Sequence, residues 1–184
     1  DKIKELNKER DKLYKKIYSN LDPWQKVQVS RHGDRPHTLN YIQNIFEDIV
    51  LLHGDKKYSD DTAILGGLAK INGESVFFIG TEKGNTMETR IKHNFGMAKP
   101  EGYRKVQRLL KLAEKFKLPL ISFVDTAGAF PGKDAEERGQ SESIASSILH
   151  FLKTKIPTIS IIIGEGGSGG ALGIALSLIH ISEP

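Results

Sequence analysis

A chain of 184 residues, 38% hydrophobic and 27% charged, is long enough for one domain with an apolar core and has the charge content of an ordinary soluble protein. It contains no cysteine, which excludes disulfides, thiolate metal sites and a cysteine nucleophile. Its net charge of +4 is too small to argue for nucleic acid and suits equally an acidic protein or a phosphate-bearing small molecule. The charged stretch 1–10 has no apolar signal core, and no apolar run reaches the length of a membrane span.

Residues 1–20 read as an amphipathic helix, with Ile3, Leu6, Leu13 and Ile17 at helical spacing, as for a packing or oligomer-contact arm. Asp22-Pro23 is expected to end it, leaving 22–40 as a polar loop carrying Arg31, His32, Arg35 and His37. Thr38 then caps a second helix over 39–53, with Ile42, Ile45, Phe46 and Ile49 on one face and His53-Gly54 at its end. Ala63–Ile71 and Glu74–Ile79 flank Asn72-Gly73, the favoured pair for a type I′ hairpin turn. Residues 81–100 form a loop with a short helix, and Pro100 opens a helix to about Lys117 whose core face is Val106, Leu109, Leu110, Ala113 and Phe116.

From there the pattern alternates. Leu118–Val124 and Ile156–Ile163 are continuous apolar runs, as expected of parallel strands covered on both faces. Between them lie a turn-rich loop, 125–134, and a helix over Gln140–Leu152 with Ile144, Ile148, Leu149 and Leu152 on one side. A glycine loop, 164–170, follows the second run, and Ala171 starts a further helix. Strand, helix, strand, helix predicts a βαβ crossover that puts both loops at the carboxyl edge of the sheet, where α/β ligand sites form.

The loop Gly164-Glu165-Gly166-Gly167-Ser168-Gly169-Gly170 has five glycines in seven residues. Bare amides at a helix N-terminus make a nest for a phosphate or for an oxyanion formed during reaction; tight helix–strand packing is the alternative. Three familiar patterns each lack a second part. Gly164-x-Gly166-x-x-Gly169 fits a dinucleotide fingerprint, but its acidic residue would fall near Glu183 with no strand to carry it. Gly166-x-Ser168-x-Gly170 fits a nucleophile elbow, but only His180 and Glu183 follow it. Asp125-x-x-Gly128 suggests a nucleotide hydrolase, but Gly128, Gly132 and Lys133 have the wrong P-loop spacing and Asp134 stands where Ser or Thr is required.

In the other loop Asp125 reads as a turn residue bonding local amides or as a site residue, and Phe130 offers an apolar wall. Glu136 and Glu137 are candidate bases or a solvated helix start. The basic stretch Arg90, Lys92, His93, Lys99, Arg104, Lys105, Arg108 and Lys111 is a solvated face or a phosphate contact. His32, His37, His53, His93, His150 and His180 show no metal spacing, so no metal site is expected.

Four stretches occur together: His93–Arg104, Asp125–Gly132, Ala135–Glu142 and Gly164–Ala171. In that order and spacing they closely resemble the carboxyltransferase alpha subunit of bacterial and plastid acetyl-CoA carboxylase, with Leu21–Leu39 and Asp60–Lys70 also fitting. The likeness runs from about residue 5 to 175. Ala127 stands where the family often has Pro, and from about Leu176 the family's pattern is not continued.

The resemblance implies an α/β, crotonase-like ββα superhelix, incomplete at the C-terminus. Its parts would be a helical extension at 1–58, the carboxyltransferase domain at 59–175 and an atypical tail at 176–184. It implies carboxyl transfer from carboxybiotin on a carrier protein to acetyl-CoA, giving malonyl-CoA for fatty acid synthesis, with no covalently bound cofactor. The other readings are a crotonase-fold hydratase or isomerase using Glu136, Glu137 or Glu165, or a basic face binding nucleic acid. Implied partners are a zinc-ribbon beta subunit in an alpha2beta2 heterotetramer, the biotin carboxyl carrier protein and biotin carboxylase, in the cytoplasm, with no membrane or nucleic acid. Carried over residue by residue, the N–H groups of Gly169 and Gly170 form an oxyanion hole, and Gly166 and Gly167 give the backbone room. Ala127, Gly128, Ala129, Phe130, Pro131 and Gly132 wall the biotin side, with Phe130 against the ring.

Overall fold

The computed structural model describes residues 2–182. The amphipathic segment at the start is a helix, α1 (Lys2–Tyr18), none of whose residues is buried. Asp22-Pro23 starts a helix rather than ending one. The Asp22 carboxylate accepts from the Gln25 amide, the Gln25 side chain accepts from the Asp22 amide, and Pro23 occupies the first turn of α2 (Pro23–Ser30). A proline has no N–H to lose at that position, so the pair is as good a start signal as a stop.

The next helix, α3 (Thr38–Ile45), is shorter than its apolar spacing suggested, and its N-cap is His37 rather than Thr38. The chain then extends into strand β1 (Glu47–Leu51), so Ile49 belongs to a strand. Ile49-Val50-Leu51 satisfies either period, and pairing with the next strand decides it. That strand, β2 (Ile64–Ile71), pairs antiparallel with β3 (Glu74–Thr81) in full register around Asn72-Gly73. Both turn residues take positive φ, 51° and 82°, as a type I′ turn requires. A Cβ on Gly67 would lie 2.1 Å from the Val50 oxygen, so β1 approaches β2 closely only because glycine stands there.

Helix α4 (Met87–Lys92) and a short 3₁₀ turn precede α5 (Pro100–Phe116), which Lys117 ends in the left-handed conformation. Val106, Leu109, Leu110 and Ala113 are buried as expected, but Phe116 is exposed. Strand β4 (Leu120–Thr126) pairs parallel with β3. After α6 (Lys133–Glu137) and α7 (Gln140–Lys153), β5 (Thr158–Gly166) pairs parallel with β4. Helix α8 (Ser168–Ala175) returns the chain to β6 (Ile179–Ser182), parallel to β5. The sheet order is β1-β2-β3-β4-β5-β6, antiparallel at one end and parallel at the other.

The core has two layers. Ile64, Phe77, Ile79, Leu120 and Val124 pack under Val106, Leu109 and Leu110 of α5, Phe151 of α7 and Ile174 of α8. On the opposite face Phe78, Phe123 and Ile163 meet Ile42 and Phe46. The second cover is smaller, so Ile159 and Ile161 of β5 are only half-buried there, short of the two-sided burial expected.

The buried face of α7 is Gln140, Ser143, Ser147 and Phe151, while Leu149 and Leu152 are exposed. Of the expected stripe, Ile144 packs against the core and Ile148 is half-buried, but Leu149 and Leu152 are turned out because α7 packs closely on α8. Ser147 Oγ donates to the Gly173 carbonyl at 2.6 Å, and only small side chains fit so near an approach.

Candidate functional site

The carboxyl ends of β3, β4 and β5 emerge on one edge, because the three strands are parallel neighbours. Each ends in a polar group, and these groups interlock. The Asp125 amide at the end of β4 donates to Thr81 Oγ1 of β3 at 2.7 Å. The Asp125 carboxylate is buried. One oxygen accepts from the Glu165 amide of β5 at 2.9 Å and from Lys83 Nζ at 2.7 Å, and the other faces His37 Nδ1 at 3.3 Å. A Cβ on Gly164 would lie 2.3 Å from Asp125 Oδ1, so glycine there makes room for the carboxylate. Asp125 is thus a hub joining three strands, not the local turn residue that was one reading of it.

Lys83 Nζ also reaches the Glu165 carboxylate at 2.7 Å, and Arg31 pairs with the same group at 2.5 Å. Burial alone would raise the Asp125 pKa. The hydrogen bond from His37 and the charge of Lys83 outweigh it, so the carboxyl stays below the usual range. Glu165 is held low in the same way, burial being overcome by Lys83 and Arg31. Both are therefore fixed anions, and neither is tuned to act as a general base near neutral pH. Glu136 and Glu137 lie exposed on α6.

A cavity of about 240 Å³ opens over this hub. Its lining includes Arg31, Arg35, His37, Lys83 and Arg90 as well as Asp125 and Glu165. Of the glycine-loop and biotin-wall residues expected from sequence, only Ala127 lines it, together with the candidates Asp125, Glu165 and Arg90. Lys83 carries no sequence signal beyond its position just past the end of β3, and 31–37 folds across it and Glu165.

The glycine segment departs from expectation in its boundaries. Strand β5 runs on to Gly166, and α8 begins at Ser168, three residues before Ala171. Gly167 is the N-cap, and its amide donates to the Thr126 carbonyl at 2.8 Å. The amides of Ser168, Gly169 and Gly170 donate to no acceptor among the described residues. They are the orphan donors of a helix start, where the peptide dipoles favour negative charge. A Cβ on Gly167 would meet the Ala127 carbonyl at 2.3 Å, and one on Gly170 would meet the Ala129 nitrogen at 2.3 Å. The two loops therefore touch backbone to backbone, and Tyr103 Oη donates to the Gly170 carbonyl from beneath.

Loop 127–132 is pinned rather than free. The Phe130 amide donates to the Ala98 carbonyl, and Gln140 Nε2 donates to both the Ala98 and Phe130 carbonyls, each at 2.9 Å. Lys99 Nζ stands 4.7 Å from the centre of the Phe130 ring. Gly132 packs against that ring, where a Cβ would lie 2.3 Å from Phe130 Cε1.

Three cations of the basic stretch on α5 are paired within the chain, while Lys111 is exposed as a solvated face predicts. Lys105 is buried, donates to the Asp61 and Ile64 carbonyls at 2.8 Å and pairs with Asp60. Arg104 pairs with Asp55 at 2.8 Å, and Arg108 donates to the Gly54 and His53 carbonyls. These cations clamp segment 53–61 to the helix.

The family model described as acetyl co-enzyme A carboxylase carboxyltransferase-like matches residues 1–179. The acetyl-coenzyme A carboxylase carboxyl transferase subunit alpha of Rhodospirillum centenum is 57% identical over 175 residues, covering 95% of this chain and 55% of that protein. The subunit of the same name from Paramagnetospirillum magneticum is 55% identical with the same coverage. The chain thus spans about half the length of the curated relatives it matches. Among solved structures, the transcarboxylase 12S hexamer core matches 82% of this chain and 28% of its own with a TM-score of 0.68 at 18% identity. The beta subunit of P. aeruginosa geranyl-CoA carboxylase matches 78% of this chain and 25% of its own with a TM-score of 0.62 at 18% identity. These likenesses bear out the crotonase-like α/β fold. With a family model spanning nearly its whole length, the chain belongs to the acetyl co-enzyme A carboxylase carboxyltransferase-like family.

Proposed function

We propose that this chain transfers a carboxyl group from carboxybiotin on a carrier protein to acetyl-CoA, yielding malonyl-CoA. The observation that carries the reading is the row of unpaired amides at Ser168, Gly169 and Gly170, at the start of a helix on the strand-end edge. In such a transfer the C–N bond of carboxybiotin breaks, the ureido nitrogen takes a proton from the thioester methyl, and the new C–C bond forms to the carboxyl carbon. Negative charge passes through an oxygen on each substrate, and preorganised amide donors stabilise it. Gly169 and Gly170 supply one such hole; Gly166 and Gly167 keep side chains out of the approach. Ala127 to Gly132 form the neighbouring wall, with Phe130 against the biotin ring. The ionised, tethered state of Asp125 and Glu165 supports a reaction that uses no side-chain base.

The partners in this reading are a zinc-ribbon beta subunit that binds most of the CoA and supplies the second hole, the carrier protein and biotin carboxylase. The setting is an alpha2beta2 assembly in the cytoplasm. The test is malonyl-CoA formation by the intact subunit reconstituted with its beta partner, comparing wild type with Gly169→Pro. Deleting one oxyanion donor lowers the rate by about 10²–10³. Equal rates at matched folding, judged by circular dichroism, would overturn the assignment.

A further inference from the structure

The cavity over the Asp125 hub holds more positive charge than its carboxylates neutralise. Four cations line it, Arg31, Arg35, Lys83 and Arg90, against Asp125 and Glu165. Lys83 bridges both carboxylates and Arg31 pairs with Glu165. Arg35 and Arg90 have no carboxylate partner among the described residues. Arg35 gives one Nη to the Ile163 carbonyl at 2.8 Å, and its Nε is buried with no partner among the described residues. Among the described residues Arg90 Nε reaches only the Gly84 carbonyl, at 3.3 Å. His37 is 5% exposed; its Nδ1 is turned to Asp125, and its Nε2 is buried with no partner among the described residues. Buried donors and acceptors without partners are uncommon in a folded chain and costly unless a ligand or water meets them.

We propose that this cavity binds an oxyanion of the phosphate or carboxylate class, held by Arg35 and Arg90, with His37 Nε2 as a third contact. A guanidinium is a rigid planar fork that matches the paired oxygens of either group. His37 Nε2 meets the same oxyanion, accepting from a protonated oxygen or, as imidazolium, donating to an ionised one. The Asp125 contact fixes the ring orientation, so the third contact is preorganised. The geometry of the site stands by itself. Its link to a substrate rests on the carboxyl-transfer reading, in which an acyl-CoA offers phosphates and the carboxylated product offers a carboxylate.

The test is isothermal titration calorimetry of the intact subunit with inorganic phosphate, with malonate and with the adenosine bisphosphate fragment of CoA. Saturable binding is expected, weakened about tenfold or more in Arg90→Gln and in Arg35→Gln, as a lost charge-assisted contact costs. Tighter binding of the nucleotide fragment than of inorganic phosphate identifies the CoA phosphates as the source, and tighter binding of malonate identifies the carboxylate. Arg35 also holds the Ile163 carbonyl, so Arg90→Gln, on a half-buried residue of α4, decides the matter if Arg35→Gln misfolds. No saturable binding of any of the three probes, or unchanged affinity in Arg90→Gln, overturns the proposal. The readout needs no carboxyl transfer, so failure here and failure of the transfer assay are told apart.

Discussion

Neighbouring glycines in α8 differ in what a side chain would meet, and that difference separates structural from chemical roles. A Cβ on Gly170 would lie 2.3 Å from the Ala129 nitrogen, whereas one on Gly169 would meet Ile144 at 3.8 Å, an ordinary contact. Gly170→Ala is therefore expected to lower stability by about 2 kcal/mol or more, and Gly169→Ala by less than about 1, in urea unfolding of each variant. Similar losses for both would show that the loop contact yields freely. Lys105 makes the same argument for charge. Lys105→Met takes the ammonium donor away from two buried carbonyls and from Asp60, and about 2 kcal/mol or more of stability should go with it. A phosphate-contact role for Lys105 predicts instead an unchanged urea midpoint.

Helices here bury different kinds of face, and their contributions to stability should follow. α1 has no buried residue, and a lone helix of its length is marginal in water. Removing residues 1–20 is expected to move the unfolding free energy of the remainder by less than about 0.5 kcal/mol. A larger drop in the urea midpoint would mean that its apolar stripe packs on this chain. α7 is the opposite case, with a serine seam instead of an apolar one. Ser147→Ala loses one buried hydrogen bond to Gly173 and should cost about 1 kcal/mol, seen as an earlier thermal transition. The apolar stripe of α7 could not reveal this seam, because serine is polar by composition but buries cheaply when its hydroxyl meets a carbonyl.

Over the whole molecule, the buried and half-buried carboxylates set the response to acid. Burial works against the charge of Asp60, but the hydrogen bond and charge of Lys105 and the amide of Gly54 bring its pKa down to about 2. Asp55, Asp125 and Glu165 are also held low, by Arg104, by His37 and Lys83, and by Lys83 and Arg31, each against the opposing effect of burial. Groups whose folded pKa is depressed stabilise the fold above their unfolded pKa and stop doing so as pH falls through the folded value. Asp61, pushed up by burial, works in the opposite sense. Four against one, stability should fall as pH drops from about 4 towards 2, with urea midpoints at about pH 3 below those at about pH 5. A flat profile would mean that these ion pairs persist in the unfolded chain.

Local chemistry was legible in the chain. Asn72-Gly73 can form its turn from two residues alone, the two short apolar runs bounded by turn signals read as strands, and four glycine- and charge-bearing stretches in order named the family. The edge on which the strand-end loops gather followed from the same alternation. The tertiary structure alone decided what depends on partners distant in sequence. Ile49-Val50-Leu51 became a strand because β2 was there to pair with it, and α7 turned its serines inward because Gly173 left room. Asp125 became a hub because Lys83, His37 and Glu165 came to it from three other segments. Periodicity records which residues avoid water, but not which neighbour covers them, and a cavity lined from residues 31 to 165 has no linear signature.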